Sequence, residues 1–269
     1  MENSVAIKTG YLPVKGANLY YELRGNGPHL ILIPPGAGDA SSYEELALFL
    51  AKWYSVITYD RRGYSRSKLT NPDETPTVAS QADDIRDLLN SLTKDAVYVY
   101  GNSAGGVIGF DLLARYPEYI LKIMFSEPAQ FLSRDPQIKN DVNLGKIFRE
   151  GGLDALGMAI GIDFKNRKPA KEIPGVTKKA NLEFFLKKEA SVIGEYIPQL
   201  DALAESAKKV KVLIGGSTTG QHGIAYRGAV LAAEFFHKEM VHFPGDHGGY
   251  ENYPEEYAEL LHDAFEKAQ

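Results

Sequence analysis

The chain has 269 residues, 44% hydrophobic and 24% charged, which is ordinary for a globular protein and long enough for one large α/β domain. A formal charge of −5 offers no attraction for nucleic acid or anionic membranes, and the absence of cysteine excludes disulfides, thiolate catalysis and Cys-based metal sites. No apolar stretch approaches the ~18 residues of a membrane span, and MENSVAIKTGYLPV has no basic segment followed by an apolar one, so a cytoplasmic protein with no membrane or nucleic-acid partner is expected.

In chain order, Tyr11–Val14 and Leu19–Leu23 alternate about Gly16 and predict a β-hairpin. HLILIP at 29 to 34 reads as a buried strand, and Ser42 with Glu45 offers a capping box for a helix to about Ala51. YSVITY at 54 to 59 is the next strand, and a loop carrying Asn71-Pro72 and Thr75-Pro76 follows. Val78, Ala82, Ile85, Leu89 and Leu92 recur at helical spacing. AVYVY at 96 to 100 is a strand, 104 to 116 a helix apolar nearly all round, and ILKIMFS at 120 to 126 a strand. From 128 to 207 the pattern is helical, without a convincing strand. Strands resume at 210 to 216 and 238 to 243, with a helix near 224 to 236 between them and a final helix marked by Tyr253, Tyr257, Leu260 and Phe265. Such alternation predicts a mostly parallel, doubly wound sheet of about eight strands. The core comprises 1–127 and 208–269, and 128–207 forms a helical cap over the strand C-termini, where open α/β sheets bind ligands. Phe131, Phe148, Met158, Phe164, Phe184, Phe185 and Tyr196 are candidates for an apolar cap lining.

Gly101-Asn102-Ser103-Ala104-Gly105 fits G-x-S-x-G between a strand and a helix, the context of a nucleophile elbow. Gly101 and Gly105 let strand and helix approach closely. A serine hydroxyl needs a base to take its proton. Of six histidines, His29 and His242 fall in strands, His262 on the polar side of the last helix and His237 at a helix end, while His222 sits in a loop as a weak candidate. His247, in PGDHGGY after the last strand, completes the order Ser…acid…His. The loop at 215 to 228, where the acid commonly lies, contains no Asp or Glu. Glu127, just past the strand at 120 to 126 and before Pro128, is the acid chosen; Asp246, adjacent to the histidine, is poorly placed to turn toward it. For the oxyanion hole, the N–H groups of Ala37 and Ala104 are the candidates, with Gly36 and Gly38 bending the first loop toward substrate. Pro35 stands where a histidine is usual.

These features together resemble the α/β-hydrolase superfamily over nearly the whole chain. The chain is similar in particular to a bacterial branch with a Glu-Pro after the family's sixth strand and a phrase like FPGDHGGYENYPEEYAELL, here at 243 to 261; TYDRRGYSRS at 58 to 67 matches the superfamily's loop after its fourth strand. Serine lactonases and esterases look similar, with their acid in this early position. The resemblance implies Ser103, Glu127 and His247 as the triad but no substrate, because the superfamily hosts many; hydrolysis of a small apolar ester or lactone, with no metal and no cofactor, is the expectation, with perhydrolysis, acyl transfer and C–C bond hydrolysis left open. A rival reading takes Gly36-Ala37-Gly38-Asp39-Ala40-Ser41 as a dinucleotide loop, with Asp60 on a ribose and Arg61 and Arg62 on a 2′-phosphate of NADP, giving an oxidoreductase. Asp60 and the arginines read better as loop-fixing ion pairs. A non-catalytic ligand sensor on the same fold is the other alternative.

Overall fold

The sheet begins with strands β1 (Ile7–Val14) and β2 (Ala17–Arg24), a hairpin closed at Gly16, whose φ of +81° suits glycine. The computed structural model describes residues 6–128, 144–167 and 172–268. Strands β3 (His29–Ile33) and β4 (Ser55–Tyr59) follow, then a two-residue strand β5 (Lys68–Leu69). The main sheet continues with β6 (Val97–Asn102), β7 (Ile120–Ser126), β8 (Lys211–Ser217) and β9 (Met240–Phe243). Spatial order is β1-β2-β4-β3-β6-β7-β8-β9, with β5 paired to β2. Strand β2 pairs antiparallel with β1, β4 and β5, and β4, β3, β6, β7, β8 and β9 pair parallel in that order. The nine strands exceed the expected eight by β5, too short to show in the sequence pattern. Every residue of β4 and β6 is buried, as parallel strands covered on both faces require.

Helices α1 (Glu44–Leu50), α2 (Val78–Leu92) and α3 (Ala104–Arg115) lie in the first half of the chain. Between β7 and β8 come α4 (Leu144–Ile160), α5 (Lys178–Phe184), α6 (Ala190–Glu195) and α7 (Leu200–Ser206), with a π-helical turn over Phe185–Glu189 between α5 and α6. After β8 come α8 (Ile224–Phe236), α9 (Gly249–Asn252) and α10 (Pro254–Lys267). The sheet separates two cores. Residues of α2, α3 and α8 pack on one face, with Ile85, Leu89, Ile108 and Ala229 fully or almost fully buried. Residues of α1 and α10 pack on the other, with Leu46, Leu50, Leu261 and Phe265. Among the described residues no strand interrupts the segment between β7 and β8. Positions 129–143 and 168–171 of the expected cap, with Phe131, lie outside those residues.

Three local expectations are corrected. The capping box at Ser42 and Glu45 does not form: Asp39 caps a 3₁₀ turn over Ala40–Tyr43 by accepting from Ser41 N–H, and α1 starts only at Glu44. The last helix is two, broken before Pro254; its buried stripe includes Tyr257, Leu261 and Phe265, whereas Tyr253 is 48% exposed. Met158 is 74% exposed and Phe164 36%, so these two face solvent rather than a lining.

The connection after β3 runs to β4 on one side of it, and β6 lies on the other. That reversal opens a crevice at the strand C-termini. The loop after β3 and the corner after β6 both end there.

Candidate active site

Ser103 occupies the corner between β6 and α3 with φ 56° and ψ −122°, a conformation L-residues rarely adopt. The fold holds it there. Its N–H donates to Ser126 O of β7 at 2.9 Å, and its carbonyl accepts from Gly106 N–H at 2.9 Å and Val107 N–H at 3.2 Å. The first turn of α3 runs so close to β3 and β6 that side chains cannot intervene. A Cβ at Gly105 would lie 2.2 Å from Ile33 O, and one at Gly101 would lie 2.6 Å from Gly105 O. First-turn N–H groups such as that of Ala104 have no intrahelical acceptor, and they carry the positive end of the helix dipole.

The facing loop runs from Pro34 to Asp39. Gly38 N–H donates to Pro35 O at 2.9 Å, and Ala37 takes a positive φ of 58°. The Asp39 carboxylate accepts from Ser65 Oγ at 2.6 Å and Asn181 Nδ2 at 2.7 Å. Arg61 Nη2 donates to Pro35 O at 3.1 Å. The same guanidinium, fully buried, lies 2.5 Å from Glu189 Oε1, which also accepts from Gln81 Nε2; the Tyr64 hydroxyl donates to the other Glu189 oxygen. Desolvation works to lower the Arg61 pKa, but the Glu189 carboxylate outweighs it and raises it. The ring of Phe185 rests on Gly36, where a Cβ would approach to 2.8 Å. Asn181, Phe185 and Glu189 all come from the segment between β7 and β8, so that segment fixes the loop from outside the sheet.

Glu127 follows β7 with φ 47° and is 1% exposed. Its N–H donates to Gly215 O at 3.1 Å, which turns the side chain across the top of β8. Carboxylate oxygen Oε1 accepts from Ser217 N–H at 2.6 Å, and Oε2 lies 2.6 Å from His247 Nδ1. A carboxylate at Nδ1 keeps the proton of a neutral imidazole there and leaves Nε2 as the acceptor. His247, 6% exposed, is held through its backbone: its N–H donates to Gly161 O at 3.0 Å and its carbonyl accepts from Asn102 Nδ2 at 3.2 Å. Asn102 immediately precedes Ser103, so this bond ties the histidine loop to the serine corner.

The chain thus brings Glu127 and His247 into contact and ties the His247 loop to the corner that carries Ser103. Asp246 turns the other way, to the Arg167 guanidinium. His262 stacks on Trp53 at a centroid distance of 4.3 Å and pairs with the Tyr54 hydroxyl, so it lies in a packed aromatic group rather than on a polar side. Asn102, Asn181, Glu189 and Arg167 were not anticipated. Their partners lie 79 to 145 residues away, and no local pattern marks them. Asp60 is fully buried, accepting from Ala40 N–H at 2.9 Å and from the Arg66 guanidinium at 2.7 and 2.8 Å. It has no oxygen to offer a ribose, while Arg61 and Arg62 are consumed by Glu189, Asp84 and Glu74. Among the described residues no group of three His, Asp or Glu side chains is placed to hold a metal ion, and no helix is long and apolar enough to cross a membrane.

A family model described as alpha/beta hydrolase fold matches residues 28–151. The uncharacterized hydrolase YraK of Bacillus subtilis (strain 168) is 34% identical over 269 residues, 98% of each chain. The human serine hydrolase BPHL is 26% identical over 176 residues, 64% of this chain and 60% of its own. Among solved structures, Est816, described as an N-acyl homoserine lactone degrading enzyme, superposes with a TM-score of 0.73 at 20% identity, covering 94% of this chain and 99% of that one. The chain belongs to the α/β-hydrolase family and is a hydrolase.

Proposed function

We propose that this protein is a serine hydrolase of carboxylic esters or lactones, with Ser103 as nucleophile, His247 as general base and Glu127 as the acid that orients it. The observation that carries this reading is the 2.6 Å contact between Glu127 Oε2 and His247 Nδ1, on a loop that Asn102 ties to the strand–helix corner where Ser103 sits in positive φ. In the proposed reaction Ser103 Oγ attacks the carbonyl carbon while His247 Nε2 takes its proton. The tetrahedral oxyanion is met by the N–H groups of Ala37 and Ala104, and collapse passes the proton from His247 to the leaving alkoxide. Water then attacks the acyl-enzyme, giving its proton to His247, and the carboxylic acid leaves as Ser103 recovers its proton. The Glu127 carboxylate stabilises the imidazolium in each half-reaction.

The substrate class rests on this chemistry and on Est816, described as degrading N-acyl homoserine lactone. The segment between β7 and β8 is read as a cap whose side chains choose among esters and lactones. Phe185, seated on Gly36, forms the apolar backing of its oxyanion-loop side. The test is a panel of activated esters and lactones turned over by wild type and Ser103→Ala in parallel. The reading expects hydrolysis of at least one class, lowered on the order of 10⁶-fold by the substitution. Equal rates in the two proteins would defeat it.

A further inference from the structure

His247 is gripped by the sheet at its imidazole, through Glu127, and at its carbonyl, through Asn102, but its N–H and its two neighbours are gripped by the segment between β7 and β8. Three consecutive residues make that contact. His247 N–H donates to Gly161 O at 3.0 Å, just past the end of α4. Asp246 Oδ2 accepts from Asp163 N–H at 2.7 Å, and Asp246 Oδ1 pairs with Arg167 Nη2. On the far side of the histidine, Gly248 O accepts from Arg167 Nη1 at 2.6 Å. One guanidinium therefore spans His247, holding the residue before it and the residue after it. The fork is shielded: the side chains of Arg167 and Asp246 are 11% and 14% exposed. It also lies flat against Gly248, where a Cβ would come within 2.7 Å of Nη2. Glu251 Oε2 adds a looser contact to Arg167 Nε at 3.9 Å.

We infer that Arg167 is a positioning residue for His247, making the base's placement depend on the docking of the helical segment. The inference rests on the serine-hydrolase reading above. An imidazole pinned only at Nδ1 can still swing about that contact. Its Nε2 is placed relative to Ser103 by where residues 246 to 248 lie, and Arg167 sets two of those three. Planar geometry makes the guanidinium suited to this, because its two terminal nitrogens take the carboxylate and the carbonyl on opposite sides of a residue at once, where a lysine ammonium offers a single nitrogen for both.

The experiment compares wild type, Arg167→Ala, Arg167→Lys and Ser103→Ala on one activated ester, with the rate of phosphonate labelling at Ser103 measured for the first three. The inference expects kcat to fall about 10–100-fold in Arg167→Ala with KM nearly unchanged, as a small misplacement of a catalytic group produces. Labelling should slow by the same factor, and Arg167→Lys should recover part of both. Asp246→Asn, which keeps the fold but weakens the same fork, should lower kcat in the same direction and serves if Arg167→Ala does not fold. Unchanged kcat and labelling in Arg167→Ala, or a rise in KM with kcat intact, overturns the inference while leaving the triad standing. Turnover surviving in Ser103→Ala overturns the serine reading itself, and the inference with it.

Discussion

Glu127 is a glutamate in positive φ, buried to 1%, with both oxygens engaged. A buried carboxylate in so rare a conformation is held by its surroundings for a reason, and the proposed reason is His247. Glu127→Gln keeps the shape and an oxygen for Ser217 N–H, but its amide cannot stabilise an imidazolium. Turnover should fall roughly 10²–10⁴-fold with the melting temperature nearly kept, measured by ester kinetics beside a thermal melt. A wild-type rate would make the site a Ser–His dyad. The approach of Glu127 to His247 was legible in the chain because each residue follows a strand beside a Pro or Gly that ends it, and because 215 to 228 has no rival carboxylate. Asn102 and Arg167 were not legible: the first reads as a strand end and the second as one more basic residue in a lysine-rich stretch. Only tertiary contact gives them partners.

Among the elements, the crossing of α3 over β3 depends on Gly105. In Gly105→Ala the new methyl meets backbone oxygen of Ile33, which cannot move without disrupting the sheet, whereas in Gly36→Ala it meets the ring of Phe185, which can turn. Gly105→Ala should cost at least the 1–3 kcal/mol typical of overpacking, and Gly36→Ala clearly less, read from denaturant unfolding. Equal costs would contradict the account of that crossing. Helices α2 and α3 are joined at their surface by Asp83, whose Oδ1 accepts from the Tyr116 hydroxyl at 2.6 Å and from Arg115 Nη1 at 2.7 Å. Partial burial works to raise its carboxyl, but these two partners outweigh it and hold it below the usual range. A lowered folded pKa means stability that is present above the unfolded value of about 3.9 and lost as pH falls through the folded one. The melting-temperature advantage of wild type over Asp83→Asn should thus be seen at pH 7 and shrink below about pH 4; an advantage that grows on acidification would contradict it. The helices and long strands were readable from their spacing. The capping of the first helical turn was not, because Asp39 competes successfully with Ser42 by bonding both Ser41 and the distant Asn181.

For the molecule as a whole, the segment between β7 and β8 is fastened to the sheet by the buried Arg61–Glu189 pair, with Gln81 and Tyr64 completing the carboxylate's shell. Glu189→Ala leaves Arg61 buried without its counter-charge and should cost about 3–5 kcal/mol. The double change Arg61→Met with Glu189→Leu should recover much of that; denaturant unfolding of both variants decides, and a single variant as stable as wild type would remove this pair from the account. The architecture was legible because hydrophobic runs of strand length alternate with helical periods. The fastening was not, since a lone glutamate in a helical pattern looks solvated until its partner 128 residues earlier is known. The proposed function rests on Ser103 as the nucleophile. A serine-directed fluorophosphonate, followed by proteolysis and mass spectrometry, tests it most directly. The account predicts one modified peptide, containing Ser103, and none in Ser103→Ala. A label on any other residue, or an unlabelled protein that still hydrolyses esters, would contradict it.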